Sequence, residues 1–130
     1  MNLVDSCGWL EFLADGPNAA FFARPLADTE KLLVPSICIL EVFKRTLQQR
    51  GEEAALDVAA LMQQGTVVDL DAAIALDAAD IGLEKKLSLA DSVILATARA
   101  SGATVWTQDA HFEGLPGVRY RAAKGARRGN

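Results

Sequence analysis

Short runs of β-branched and aliphatic residues, each cut off by proline, glycine or an acid, are separated along this chain by segments long enough for helices. Leu3-Val4 ends at Asp5, and Leu32-Leu33-Val34 ends at Pro35. Thr66-Val67-Val68-Asp69-Leu70 follows Gly65, Ala103-Thr104-Val105-Trp106-Thr107 follows Gly102, and Val118-Arg119-Tyr120 follows Pro116-Gly117. Strands that recur with helix-length spacers cannot pair as hairpins, so the pattern predicts an α/β fold with a parallel sheet built from βα units. With 130 residues there is room for one domain.

The spacers read as helices. Over Ser36 to Gln49, Leu40, Phe43 and Leu47 share a face, with Ser36 as the expected N-cap. Ala54, Val58, Leu61 and Met62 form a stripe between Glu52 and Gln64, and Ile74, Ala78 and Ile81 another between Asp71 and Leu87. Ser88 to Ala100 is apolar nearly all round (Leu89, Val93, Ile94, Leu95), as expected of a helix packed deep on the sheet. Trp9, Leu10, Phe12 and Leu13 make an early apolar helix, with Phe21 and Phe22 close behind, and read as core. An exposed apolar groove there would mark a partner surface. The residues from Arg119 onward carry five bases and no acid and read as a frayed basic end.

Composition narrows function mainly by exclusion. Seventeen acids against thirteen Lys and Arg give a net charge of −4, which excludes a broad basic nucleic-acid-binding face. One histidine and two cysteines are too few for a Cys/His zinc site or a disulfide scaffold, and a ribonuclease using paired histidines is impossible. No signal peptide and no membrane-length apolar run is visible, so a cytoplasmic location is expected, with Cys7 and Cys38 as reduced, small buried hydrophobes.

In an open parallel sheet, chemistry gathers beyond the carboxyl ends of the strands, where the strand order reverses. Asp5 follows the first strand and Asp109 the fourth, while Glu41 and Asp91 sit inside apolar helices. Each has an ordinary explanation: Asp5 as a helix N-cap, Glu41 in an i, i+4 pair with Arg45, Asp91 in a Ser88-x-x-Asp capping box, and Asp109 as a turn residue. Together they are harder to explain this way. Four carboxylates on one point repel unless a hard cation sits among them, and an all-oxygen donor set suits Mg²⁺ or Mn²⁺, the ions of phosphodiester hydrolysis.

These residues lie in segments that resemble the PIN-domain ribonucleases, most closely the VapC-type toxins of toxin–antitoxin pairs. The matching segments are Val4-Asp5-Ser6, Pro35-Ser36-x4-Glu41, Leu87-Ser88-Leu89-Ala90-Asp91-Ser92-x-Ile94-x-Ala96-Thr97-Ala98 and Thr107-Gln108-Asp109-x-x-Phe112. The resemblance implies a PIN-like domain over residues 1–121, a three-layer α/β/α sandwich with strand order 3-2-1-4-5, and a basic, flexible tail over 122–130. It also implies an acidic site of Asp5, Glu41, Asp91 and Asp109 holding Mg²⁺ or Mn²⁺, with the Ser6 and Thr107 hydroxyls orienting Asp109, Asp5 or a metal-bound water. RNA would be the substrate, a cognate antitoxin and a second copy of the chain the partners. Lys44 and Arg45, one turn beyond Glu41, are candidates for substrate phosphates. Where some relatives carry a further acid, this chain has His111. Two other readings are a catalytically inactive PIN-like scaffold and a phospho-receiver module using Asp69.

Overall fold

The computed structural model of the chain describes residues 1–124. Five strands among these residues form one parallel sheet: β1 (Asn2–Val4), β2 (Leu32–Pro35), β3 (Thr66–Val68), β4 (Thr104–Thr107) and β5 (Val118–Tyr120). The order is β3-β2-β1-β4-β5, as expected. Helices α1 (Ser6–Leu13) and α2 (Ala19–Leu26) connect β1 to β2, and α3 (Ser36–Arg50) and α4 (Glu52–Met62) connect β2 to β3. Helices α5 (Ala72–Lys85) and α6 (Leu89–Ser101) return the chain from β3 across the sheet to β4. Parallel crossovers are right-handed, so connections running in opposite directions along the sheet cover opposite faces and produce the α/β/α layers.

β1 lies between β2 and β4, with Leu3 opposite both Leu33 and Val105. The chain leaves this central strand in one direction and later resumes on its other side, so the reversal point is the gap between the ends of β1 and β4. A backbone hydrogen bond of 3.0 Å from the Asp5 N–H to the Trp106 carbonyl closes that gap. Leu3, Val4, Val34 and Val105 are fully buried, with Phe22 and Phe112 packed beside them.

Close helix approach sets the geometry around the reversal point. A Cβ on Gly8 would meet the Phe22 ring at 2.6 Å and Val4 at 2.7 Å, so only glycine lets α1 lie this tightly on α2 and β1. A Cβ on Gly82 would meet Ser92 Oγ at 2.6 Å, and α5 thereby presses on the first turns of α6. Helix α6 is buried from Asp91 through Ala98, as its all-round apolar sequence predicts, although Leu89 at its start is exposed.

Three expectations need correction. The inner face of α3 is Cys38, Val42 and Thr46; Leu40 and Leu47 are exposed and Phe43 is half-buried. Ser36 does not cap α3, because Pro35 ends β2 and itself occupies the N-cap position, leaving Ser36 in the first helical turn. On α4, Ala55 and Met62 are buried while Leu61 is exposed. The expected frayed end is held where it begins: Arg119, within β5, stacks 4.9 Å from the Trp106 ring centroid, and past the strand Arg121 lies 4.6 Å from that of Phe21 and Asn18 Nδ2 donates to the Ala122 carbonyl at 3.0 Å. Residues 125–130 of the expected tail lie outside the described residues.

Candidate active site

Asp5, Glu41, Asp91 and Asp109 all line one cleft of about 510 Å³ at the reversal point, together with Ser6, Cys7, Leu10, Leu40, Lys44, Arg45 and Gln48. They come from four elements. Asp5 directly follows β1, Glu41 lies on α3, Asp91 opens α6, and Asp109 follows β4.

Asp5 holds the N-cap position of α1, yet its side chain makes no cap hydrogen bond. Its Oδ2 instead accepts from Thr107 Oγ1 at 2.8 Å and from Cys7 Sγ at 3.3 Å. Thr107 is fully buried, and its Oγ1 also accepts the Asp109 backbone N–H at 2.9 Å. One hydroxyl therefore connects the two acids that flank the reversal point. Ser6 serves a different acid from those expected of it, donating to Glu41 Oε1 at 2.6 Å. Among the described residues Glu41 makes no ion pair with Arg45, and no Lys or Arg pairs with any of the four carboxylates.

Asp91 lies in the first turn of α6, where Ser88 Oγ accepts its backbone N–H at 3.3 Å. The serine does the capping and leaves the carboxylate to the cleft. At Asp109 the turn reading and the site reading coincide. Its Oδ1 accepts the His111 N–H at 2.9 Å, starting the short 3-10 turn Ala110–Phe112, while the residue also lines the cleft.

The electrostatics are those of acids crowded out of water. Burial raises the Asp5 pKa above its ordinary value, with a further push from Asp109, against the Thr107 and Cys7 hydrogen bonds that favour the carboxylate. Asp91 is raised to about 6, by burial first and then by the charges of Asp109 and Asp5. Burial, aided by the Asp5 charge, pushes the Cys7 thiol up to about 12, so it stays protonated and donates. Nearly uncompensated acids of this kind fit a divalent cation by the chemistry of their donors. One oxygen from each of Asp91 and Asp109 and one nitrogen of His111 lie within 4.8 Å of one another.

Two residues of the site escaped the sequence reading. Cys7 is half-buried and hydrogen-bonded, not an inert apolar filler; its position two residues past Asp5 was the available signal. His111 places Nδ1 3.0 Å from Asp109 Oδ1 and 3.9 Å from Asp91 Oδ2. The Asp-x-His spacing after β4 could have found it. Asp69, the acid a phospho-receiver would use, is exposed beyond edge strand β3 and outside the cleft. The sheet order also differs from the 2-1-3-4-5 order of flavodoxin-like receivers.

An apolar cavity of about 210 Å³ lies elsewhere, between α1, α2 and α4, lined by Trp9, Phe12, Leu26, Leu32 and Leu61 among others. Trp9, Phe21 and Phe22 of the early apolar segment lie in the core, as expected, and this cavity opens beside Trp9.

Comparison with known proteins agrees with this architecture. Residues 3–118 match the PIN domain family, and the chain belongs to it. Among solved structures it is similar to a toxin–antitoxin complex from Klebsiella pneumoniae, at 24% identity and a TM-score of 0.77 over 92% of this chain and 96% of the other. A DNA-bound VapBC from Salmonella typhimurium aligns at 20% identity and a TM-score of 0.72, covering 94% and 98% of the two chains. VapC20 of Mycobacterium tuberculosis, described as a sarcin-ricin loop cleaving toxin, aligns at 19% identity and 0.71, covering 86% and 92%. At these identities the likeness is one of fold. No curated protein matches the sequence.

Proposed function

We propose that this protein is a metal-dependent endoribonuclease of the VapC type, the toxin of a toxin–antitoxin pair. The observation that carries the reading is the meeting of Asp5, Glu41, Asp91 and Asp109 in one cleft of a PIN-domain chain, with no Lys or Arg among the described residues neutralising them.

A bound Mg²⁺ or Mn²⁺ would supply Lewis-acid activation of the attacking water and charge neutralisation at the phosphodiester. Asp91 and Asp109 are the residues to hold it, with Asp5 beside them. Thr107 fixes Asp5 by its donated hydrogen bond and fixes the backbone at Asp109 by its accepted one. Glu41, steadied by Ser6, is the group placed to orient the water and take its proton. Lys44 and Arg45 are exposed on the cleft wall, where they can meet the RNA backbone. Because water and not the ribose 2′-hydroxyl attacks, the products carry a 5′-phosphate and a 3′-hydroxyl.

The groove between α1, α2 and α4 offers an antitoxin an apolar seat, and exposed Leu76, Leu83 and Leu89 offer a second copy of the chain an apolar face. No described helix is long and apolar enough to cross a membrane; the cytoplasm, where RNA and antitoxin are met, is the proposed place of action. The test is cleavage of single-stranded RNA by the purified chain, with end-group mapping of the fragments. Cleavage that persists undiminished in excess chelator, or 2′,3′-cyclic phosphate ends, overturns the mechanism. A folded wild-type chain that cuts no RNA favours the inactive scaffold.

A further inference from the structure

The exposed ring of His111 reaches two acids of the cleft, although the four-carboxylate scheme gives it no task. Asp109 Oδ1 accepts the His111 backbone N–H at 2.9 Å, and the Phe112 N–H donates to the Asp109 carbonyl at 3.0 Å. Phe112 is fully buried, so the turn is anchored on its inner side while the ring of residue 111 projects over the rim. Nδ1 thereby stands 3.0 Å from Asp109 Oδ1 and 3.9 Å from Asp91 Oδ2. Among the described residues it is the one basic side chain that pairs with any of the four carboxylates. The group of ligand atoms that lie within 4.8 Å of one another is Asp91, Asp109 and His111, two oxygens and a nitrogen.

That composition matters for the choice of ion. Mg²⁺ is hard, demands oxygen ligands in near-octahedral array and gives up water reluctantly. Imidazole nitrogen favours first-row transition dications, whose affinity for mixed nitrogen and oxygen sites rises from Mn²⁺ through Co²⁺. We propose that His111 supplies a nitrogen ligand to the cation held by Asp91 and Asp109, so that this cleft selects transition-metal dications such as Mn²⁺ or Co²⁺ over Mg²⁺. The inference rests on the metal-site reading above and narrows it from two ions to one class.

The experiment needs no RNA. The full chain is titrated with Mn²⁺ and with Mg²⁺ by calorimetry, and the Mn²⁺-loaded protein is examined by pulsed electron paramagnetic resonance for nitrogen hyperfine coupling. Wild type is expected to show the coupling of a directly bound imidazole nitrogen and a clear preference for Mn²⁺. His111→Asp, which keeps a ligand but makes it oxygen, is expected to lose the coupling. It should lower the Mn²⁺/Mg²⁺ affinity ratio by roughly tenfold, the scale on which loss of even an outer-shell partner weakens a metal site. His111→Ala should lose the coupling and bind Mn²⁺ more weakly, with circular dichroism reporting the fold of both variants. Mn²⁺ binding without nitrogen coupling, or an unchanged ratio in His111→Asp, assigns the ring to hydrogen bonding with Asp109 alone and overturns the proposal. Wild type that binds neither ion overturns the metal-site reading as well.

Discussion

The first turns of α5 and α6 use similar residues in opposite ways. At α5 the acid does the capping: Asp71 Oδ1 accepts the Ile74 N–H at 2.8 Å. At α6 the hydroxyl of Ser88 accepts the N–H of Asp91, three residues on, and the carboxylate remains free. Asp71 is exposed, whereas Asp91 is buried and its pKa is driven up to about 6. A carboxylate that satisfies its own helix needs nothing further. One relieved of that duty and then withdrawn from water beside Asp109 and Asp5 is destabilising on its own. Asp5 repeats the pattern at α1, at the N-cap position without capping.

The contrast breaks most visibly in RNA cleavage. Asp91→Asn and Asp5→Asn are expected to lower the cleavage rate by at least roughly a hundredfold with circular dichroism unchanged, while Asp71→Asn leaves the rate of folded protein intact. Equal losses at Asp71 and Asp91 would erase the distinction.

Stability against pH sharpens it next. The native pKa of Asp91 lies above its ordinary 3.8, so the folded state binds this proton more tightly than the unfolded state. The stability linked to it is fully present below pH 3.8 and is lost as pH rises to about 6. In metal-free protein, urea unfolding of wild type should therefore lose roughly 1–2 kcal/mol across that window relative to Asp91→Asn. A divalent cation should restore it in wild type alone. Asp71→Ala should cost about 1 kcal/mol of unfolding free energy through the lost cap, with cleavage per folded molecule unaltered. The smallest effect belongs to the cleft wall. Arg45→Ala should raise KM a few-fold and flatten its dependence on salt, leaving kcat in place.

Much of the fold is visible in the sequence because its punctuation is local. Gly65, Gly102 and Pro35 bound strands whose limits need no distant information. The four acids are legible because carboxylates in apolar surroundings or at strand ends are costly without a purpose. Helix α3 is misread for a physical reason. It carries two apolar faces, and the one richer in leucine is exposed, with Leu40 lining the cleft, while Cys38, Val42 and Thr46 meet the core. Side-chain size misleads when the smaller residues are those that fit. Besides Asp5, Cys7 meets Thr107, 100 residues away, a proximity that the pairing of β1 with β4 creates. The role of Ser6 likewise depends on where α3 lies.

The Thr107 hydroxyl, shared between Asp5 and the Asp109 backbone, also makes the site depend on contacts between segments far apart in the chain. β1 precedes β4 by about a hundred residues, yet it is a central strand that remains open on one side until β4 joins it. A nascent chain that has emerged only through α6 holds three of the four acids but lacks the hydroxyl that fixes the first and the strand that carries the last. Such non-local pairings form late, after local helices are in place. The cleft is therefore complete only when β4 joins β1, and a chain without β4 lacks both the fourth acid and the hydroxyl that holds the first.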